Sequence, residues 1–456
     1  MKCITIISLF LFVQNSVAQQ MVPSFKTLRY AEEYSFLKDD TAPSPYKKLK
    51  YVRLSKKGDA YISFGGDVRY QYFSIKNEDW GSSSKERDGF VLSRFLAHAD
   101  VHLSPQLRTF VQLQGSMANN KASGTSAIDE NPLDLHQAFV DINNKSKNII
   151  FRIGRQELSY GSQRLIAVRE LPNNRQAFDA AKFIFQNGQL QIDAFYSRYV
   201  VAKKGLFDDA SHPAIQLWGS YAVVNRLFFF PHADFYYLGL RRKTAVFHDG
   251  KDEEQRHSIG LRLWNDRNDW RYDIEGVYQF GNFTTKTISA WTASANIGYS
   301  LSSVPLQPEF GLKTEIISGD RKKGDDRLQT FNALFPRGAY FGLASLIGPA
   351  NLIDVHPSVE MKLWHQRLTW SVDYDAFWRH STEDGIYAPN TMLLYPAGNS
   401  GAAFIGHQLA SDVTFIPNPF LLIRIEGTWF KSGAYLKDVS PGKPILFFGF
   451  STQLKF

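Results

Sequence analysis

Along stretch after stretch of this chain, every second side chain is apolar and the residues between them carry polar or charged groups. In residues 269–282, Trp270, Tyr272, Ile274, Gly276, Tyr278 and Phe280 fall on one face, while Arg271, Asp273, Glu275 and Gln279 fall on the other. Residues 367–379 repeat the pattern, with Leu368, Trp370, Val372, Tyr374, Ala376 and Trp378 set against Thr369, Ser371, Asp373, Asp375 and Arg379. A period of two is that of a β-strand. Charges facing one another across a dry β-core would be costly, so the polar face must meet water. A strand of a membrane barrel satisfies both faces, with lipid outside and a wet lumen inside. Both segments are long enough for the roughly 9 to 11 residues that a tilted strand needs to cross a bilayer.

Comparable segments lie at 61–73, 90–103, 107–117, 133–142, 148–155, 181–187, 189–199, 215–224 and 234–242. After them come 256–265, 269–282, 287–301, 307–318, 352–365, 367–379, 403–416, 420–431 and 445–456. The pattern predicts an all-β fold, a transmembrane antiparallel up-and-down β-barrel of about 18 strands, an even number as bacterial single-chain barrels require. The links support it, because such barrels have short periplasmic turns and longer external loops. Ser104-Pro105-Gln106, Asp266-Arg267-Asn268 and Pro417-Asn418-Pro419 are short, while 74–89, 118–132, 156–180, 319–351 and 380–402 are long and rich in Gly, Lys, Asp and Pro. One link, 283–286, is a short exception on the external side. The last segment puts Leu446, Phe448, Phe450, Leu454 and Phe456 on one face and ends on an aromatic, like the assembly signal of outer-membrane barrels. A soluble propeller is the main rival, but no repeat of about 40 to 50 residues supports it.

Composition sharpens this picture. The 456 residues are 44% hydrophobic and include 36 Phe, 21 Tyr and 9 Trp, yet no stretch after residue 18 approaches the roughly 18 apolar residues of a membrane helix. A membrane must therefore be crossed by strands. Residues 1–18, with Lys2, the apolar run Ile4 to Val13 and the small residues Ser16 and Ala18, read as a cleavable secretory signal. That signal directs the product out of the cytoplasm, and the barrel pattern assigns it to the outer membrane. Cys3, the single cysteine, leaves with the signal, so the mature chain has no disulfide framework. Residues 19–59 are read as a periplasmic N-terminal segment, for which a cap, a plug and a contact for a periplasmic export partner all stay open. Residues 60–456 form the barrel. The net charge of +8 suits nucleic acid, an anionic membrane surface or an anionic solute. Export and the lack of a nucleic-acid motif argue against the first.

About eighteen strands enclose a lumen wide enough for water, so something must narrow it. The two longest external segments, 156–180 and 319–351, are the candidates. The first carries Phe151-Arg152-Ile153-Gly154-Arg155-Gln156-Glu157-Leu158, then Arg164-Leu165, Arg169-Glu170-Leu171-Pro172-Asn173-Asn174-Arg175 and Phe178-Asp179. This series resembles the alginate export family of outer-membrane proteins. Similar stretches are Leu28-Arg29-Tyr30 with Glu33-Tyr34, Phe64-Gly65-Gly66-Asp67-Val68-Arg69, Gly319-Asp320, Thr330-Phe331-Asn332-Ala333-Leu334-Phe335-Pro336 and Ile405-Gly406-His407.

The resemblance implies an eighteen-strand outer-membrane barrel whose arginine-rich constriction conducts an uronate polysaccharide. By matching motif, Arg152, Arg155, Arg164, Arg169 and Arg175 are the candidate anion contacts, with Glu157 and Asp179 as their partners. A guanidinium is always charged and grips a carboxylate in a fork, and neighbouring acids keep each site weak enough for release. Alternation adds Arg69 and Arg271 to the lumen wall, together with Arg94, Arg108, Arg262, Arg379 and Arg424. The same rule places Asp67, Asp100, Asp141, Asp273, Glu275, Glu309, Glu315, Asp373, Asp375, Asp412 and Glu426 inside, so the wall is mixed. A general or differently selective porin for small solutes is therefore the alternative. The strand histidines His98, His102 and His136 suggest a hydrolase barrel only in outline, since no nucleophile motif surrounds any Ser. Asp320, Asp325 and Asp326 lack the Gly and Glu positions of a calcium loop. The expected protein is a monomeric channel with outer-membrane lipid around it and an anionic saccharide inside, not an enzyme, with neither cofactor nor metal.

Overall fold

A computed structural model describes residues 25–40, 44–83, 89–122, 124–267 and 269–456. The expected signal segment and the first residues after it lie outside that range. Eighteen long strands form one antiparallel sheet. In order they are β1 (Tyr61–Lys76), β2 (Phe90–His102), β3 (Leu107–Asn119), β4 (Asn131–Asn143), β5 (Ile149–Gln156) and β6 (Phe178–Gln186). Next come β7 (Leu190–Val201), β8 (Ala210–Leu227), β9 (Phe230–Phe247), β10 (Gly250–Asn265), β11 (Trp270–Phe283) and β12 (Lys286–Ser300). The last six are β13 (Glu309–Ile317), β14 (Leu352–Leu363), β15 (Leu368–Trp378), β16 (Phe404–Asn418), β17 (Leu421–Ser432) and β18 (Ile445–Lys455). Each pairs with its sequence neighbours, and β1 closes on β18 from Asp67 opposite Lys455 to Lys76 opposite Leu446. Closure leaves no edge strand to template association.

The barrel is inside out relative to a soluble protein. Tyr70, Phe95, Ile153, Phe183, Ile274, Phe310, Leu409 and Ile425 face outward and are exposed, while Asp67, Arg94, Asp141, Glu275, Gln279 and Asp375 face inward and are buried. Such an apolar belt is stable only against lipid. Every segment expected to be a strand is one. The exceptional link at 283–286 is a tight turn, with Phe283 paired to Lys286. Two links are shorter than the alternation left them: β8 and β9 join through Phe228-Phe229, and β9 and β10 through His248-Asp249, because these strands run several residues further than the alternation showed.

The lumen is not uniformly wet, which corrects the picture of a polar inner wall. Toward the long-loop end, Leu217, Leu238, Leu240, Val277, Phe377, Phe430 and Ile445 point inward and pack on Leu158, Leu165, Ile166, Phe331, Phe335, Tyr340 and Phe341 from the two long loops. These loops fold into the barrel and meet there. Ala167 N donates to Phe335 O at 3.0 Å, Phe335 N to Leu165 O at 2.9 Å and Arg337 N to Gln163 O at 3.1 Å. The apolar inner residues are the lining of a small core built around that crossing.

Residues 25–40 and 44–50 lie at the opposite, short-turn end. Arg29 donates to Gly66 O and Phe456 O, both at 2.9 Å, fastening the segment to the seam between β1 and β18. Tyr30 packs edge-on against the inward rings of Phe110 and Phe139 and donates to Glu157 O at 3.2 Å. The described part of this segment thus packs against the inner wall at that end.

Candidate functional site in the barrel lumen

The motif arginines lie where strand ends, the folded-in loop 157–177 and the N-terminal segment converge. Arg152 on β5 grips Asp141 on β4 in a fork, at 2.6 and 2.7 Å, under the rings of Tyr30 and Phe139. Two residues on, Gly154 has φ +128°, and a Cβ there would lie 2.3 Å from Ala138 O. Only glycine fits this bend without strain, and Arg155 follows it on the strand, paired with Ala138 on one side and Asp179 on the other. Arg155 meets Asp179 at 2.9 Å and Leu135 O at 3.1 Å. Glu157 then accepts from His136 at 2.8 Å and from Arg175 at 3.0 Å.

Glu170 is the hub of this side. Arg94 of β2 bonds it tightly, Arg175 reaches it at 2.9 Å and Arg69 of β1 lies 3.9 Å away. Its side chain is 38% exposed, against 6% or less for the three guanidiniums. Burial alone would raise its carboxyl, but Arg94, Arg175 and Arg69 reverse the effect and hold it well below the usual range. Asp67 also contacts Arg94 at 3.5 Å. Glu170, Arg94 and Asp67 were not among the site residues expected from the motif, because a carboxylate within the series does not reveal which guanidiniums it collects.

Arg164 stands on the other side of the loop crossing. It meets Glu275 at 3.1 Å, binds Glu315 and receives Tyr340 as a partner at 2.7 Å. Arg337 faces open space beside the Tyr340 ring at 5.7 Å and has no carboxylate partner among the described residues. Arg169 likewise has none, and its Nε is buried without an acceptor. It lines a 250 Å³ cavity toward the loop end with Phe73, Phe90, Pro172 and Phe447. Arg271 is apart from all of these. It pairs with Glu309 and lines a 350 Å³ cavity with Arg262, Trp264 and Asp273 at the short-turn end. The structure thus brings Arg69, Glu157 and Arg175 together, sets Arg152 with Asp141 and Arg155 with Asp179 in adjoining wall contacts, leaves Arg169 at the loop-end cavity, and separates Arg164 and Arg271.

Other motif residues hold the loops in place. The Asn173 amide donates to Ser93 O and Met117 O at 3.0 Å and to Asp129 O at 2.9 Å, pinning the Pro172-Asn173-Asn174 turn to the wall. Asn332 does the same for the second loop, donating to Glu254 at 3.1 Å while Gln279 donates to its carbonyl at 2.8 Å. The histidines considered for hydrolysis are engaged by packing or ion pairs: His136 with Glu157, His98 stacked on Phe110, and His102 stacked on Tyr61. Asp320 and Asp325 make separate contacts, the first with Asp384 and the second with Arg327 N.

Residues 60–443 match the alginate export family. No curated protein is similar enough in sequence to be matched. Among solved structures, OccAB1 of Acinetobacter baumannii is similar with a TM-score of 0.58 at 11% identity, over 90% of this chain and all of that one. A BenF-like porin from Pseudomonas fluorescens Pf-5 gives a TM-score of 0.58 at 9% identity, covering 87% of this chain and 98% of its own. OccK2 (OpdF) of Pseudomonas aeruginosa, solved in complex with glucuronate, gives 0.56 at 12% identity with the same coverage of 87% and 98%. At these identities the likeness is one of fold.

Proposed function

The chain belongs to the alginate export family, whose barrels are outer-membrane channels, and from that premise we propose that it passes an anionic saccharide chain carrying carboxylates through the arginine-lined middle of its lumen. The observation that carries this reading is the convergence of Arg69, Arg94 and Arg175 on the single half-open carboxylate of Glu170. A carboxylate held by three guanidiniums is what a uronate would look like in transit, and Glu170 acts as its tethered stand-in. Displacement of one carboxylate by another changes little in net charge, so a moving chain can exchange with the loop at low cost. Arg169 and Arg337, without carboxylate partners among the described residues, supply further cations along the path.

Glucuronate in OccK2 is a property of that protein, and it makes an oligouronate the natural first probe here. Planar-bilayer recordings of the mature chain should show anion-preferring conductance that oligouronate blocks. Cation preference without block would overturn the reading in favour of a general porin. That alternative draws on the acids that accompany nearly every motif arginine, such as Asp141 at Arg152 and Glu315 at Arg164.

A further inference from the structure

One stretch of the wall has the reverse imbalance, with carboxylates that outnumber the cations beside them. On β14, Asp354 and His356 point inward two residues apart, and Val355 pairs with Ala376 while Ser358 pairs with Asp373. This register sets His356 opposite Asp375 on β15, with Asp373 diagonal to it. Each of Asp354, His356 and Asp375 offers a ligand atom, and the three atoms lie within 4.8 Å of one another. Asp354 is wholly buried, and neither of its carboxylate oxygens has a hydrogen-bond donor. Asp375 is also wholly buried and meets the ring Nδ1 of His356 at 3.1 Å. Nearby cations are turned elsewhere: Lys313 donates to Tyr340 O at 3.2 Å, and Arg164 is taken by Glu275 and Glu315. Buried carboxylates without donors are unfavourable enough that a cation is the simplest remedy.

We propose that Asp354, His356 and Asp375 bind a divalent transition-metal ion of the zinc class in the lumen wall. An imidazole among the ligands favours zinc over the hard cations calcium and magnesium, which take oxygen. The second ring nitrogen of His356, Nε2, lies 3.0 Å from Asp373 Oδ1. That is the arrangement in which a carboxylate orients a metal-binding histidine and fixes its tautomer. Asp354, Asp373 and Asp375 against Lys313 leave two negative charges, which one divalent ion balances. Three protein ligands leave a coordination position open, on the side of the half-buried His356. An ion there would turn an acidic patch into a carboxylate-accepting one beside Arg164 and Arg337. This last consequence rests on the anionic-solute reading, whereas metal binding itself does not.

The test uses the full mature chain folded in detergent, stripped with chelator, incubated with zinc sulfate and desalted before metal analysis. About one zinc per chain should be retained, and cobalt(II) in its place should give visible absorption bands. Asp354→Asn and His356→Gln should lose both, Asp373→Asn should bind zinc about 10- to 100-fold more weakly, and Asp412→Asn on the next strand should behave as the parent. Heat-dependent gel mobility checks that each variant folds. No retained zinc in the parent, or equal zinc in folded Asp354→Asn and His356→Gln, overturns the site. Unchanged affinity in Asp373→Asn overturns the role given to that carboxylate. Zinc content is read without saccharide, so this result and the conduction result stand or fall separately.

Discussion

Replacing Glu170 by Gln takes one negative charge out of the place where three arginines meet and keeps the length of the side chain. Arg94 still has Asp67 at 3.5 Å and Arg175 still has Glu157 at 2.7 Å. Arg69 keeps only backbone carbonyls, those of Glu170 at 2.6 Å, Leu171 at 3.2 Å and Pro172 at 3.0 Å. One guanidinium is left without a carboxylate beside the lumen. At a separation of about 4 Å such a pair attracts by about 1 kcal/mol in bulk water and about 4 kcal/mol at an effective dielectric of 20. The side chain of Glu170 is 38% exposed, so water screens the contact and the lower part of that range applies. A uronate carboxylate freed from this competitor should then gain about 1 to 2 kcal/mol, which is roughly a tenfold tighter block. Removing one partner of a fully buried ion pair costs about 3 to 5 kcal/mol, and the open side of Glu170 keeps the loss below that. The assay is single-channel recording with an oligouronate titration, plus the reversal potential in a potassium chloride gradient. A block constant unchanged in a folded Glu170→Gln channel, or a shift toward potassium, refutes the idea that Glu170 holds the place of the solute.

The loop anchors give a second test: Asn173→Ala removes an amide that serves three carbonyls, should cost about 1 to 3 kcal/mol of local stability, and should open loop 157–177 to external protease. If the cleavage rate stays at the parent level, the turn is held by something else. Removing residues 25–50 takes Arg29 and Tyr30 away from the inner wall, and single-channel conductance should rise; equal conductance would mean that the current bypasses this segment. Asp320 supplies a pH test, because burial and the nearby Asp249 and Asp384 carboxylates push its carboxyl up to about 7. The folded loop therefore holds a proton that the unfolded chain has released, so stability falls as pH rises from about 4 to about 7 and then levels off. Asp320→Asn should remove that slope and raise thermal stability at pH 8 more than at pH 5, and an equal gain at both would exclude the titration.

Strand positions were legible because lipid and water impose a strict period of two on every residue that spans the bilayer. Beyond the bilayer the rule lapses. At Arg241 to Thr244 on β9 and Lys251 to Gln255 on β10 runs of polar residues interrupt the alternation, yet the hydrogen-bonded ladder continues to Phe247 and Gly250. The inward apolar residues were hidden for a related reason. Phe377 and Val277 occupy lumen positions whose neighbours along the strand are charged, and alternation says which face a side chain takes but not what waits there. Only the folded-in loops, with Phe335 and Phe341 at the crossing, make those positions dry.

The arginine series was legible as chemistry and opaque as geometry. Spacing showed a run of guanidiniums on a loop that enters the lumen; it gave no means of telling Arg152, locked in a fork by Asp141 from the neighbouring strand, from Arg169, which has no carboxylate. That difference depends on partners far away in sequence, such as Asp67 and Arg94, or Glu275 and Glu315. The cost of leaving a buried charge unpaired explains why so many of the arginines are paired. It also makes the exceptions informative. Where the fold keeps a guanidinium nitrogen or a carboxylate buried without a mate, as at Arg169 Nε and Asp354, the proposed solute and metal ion would supply the missing charge, and the two sites call for opposite signs.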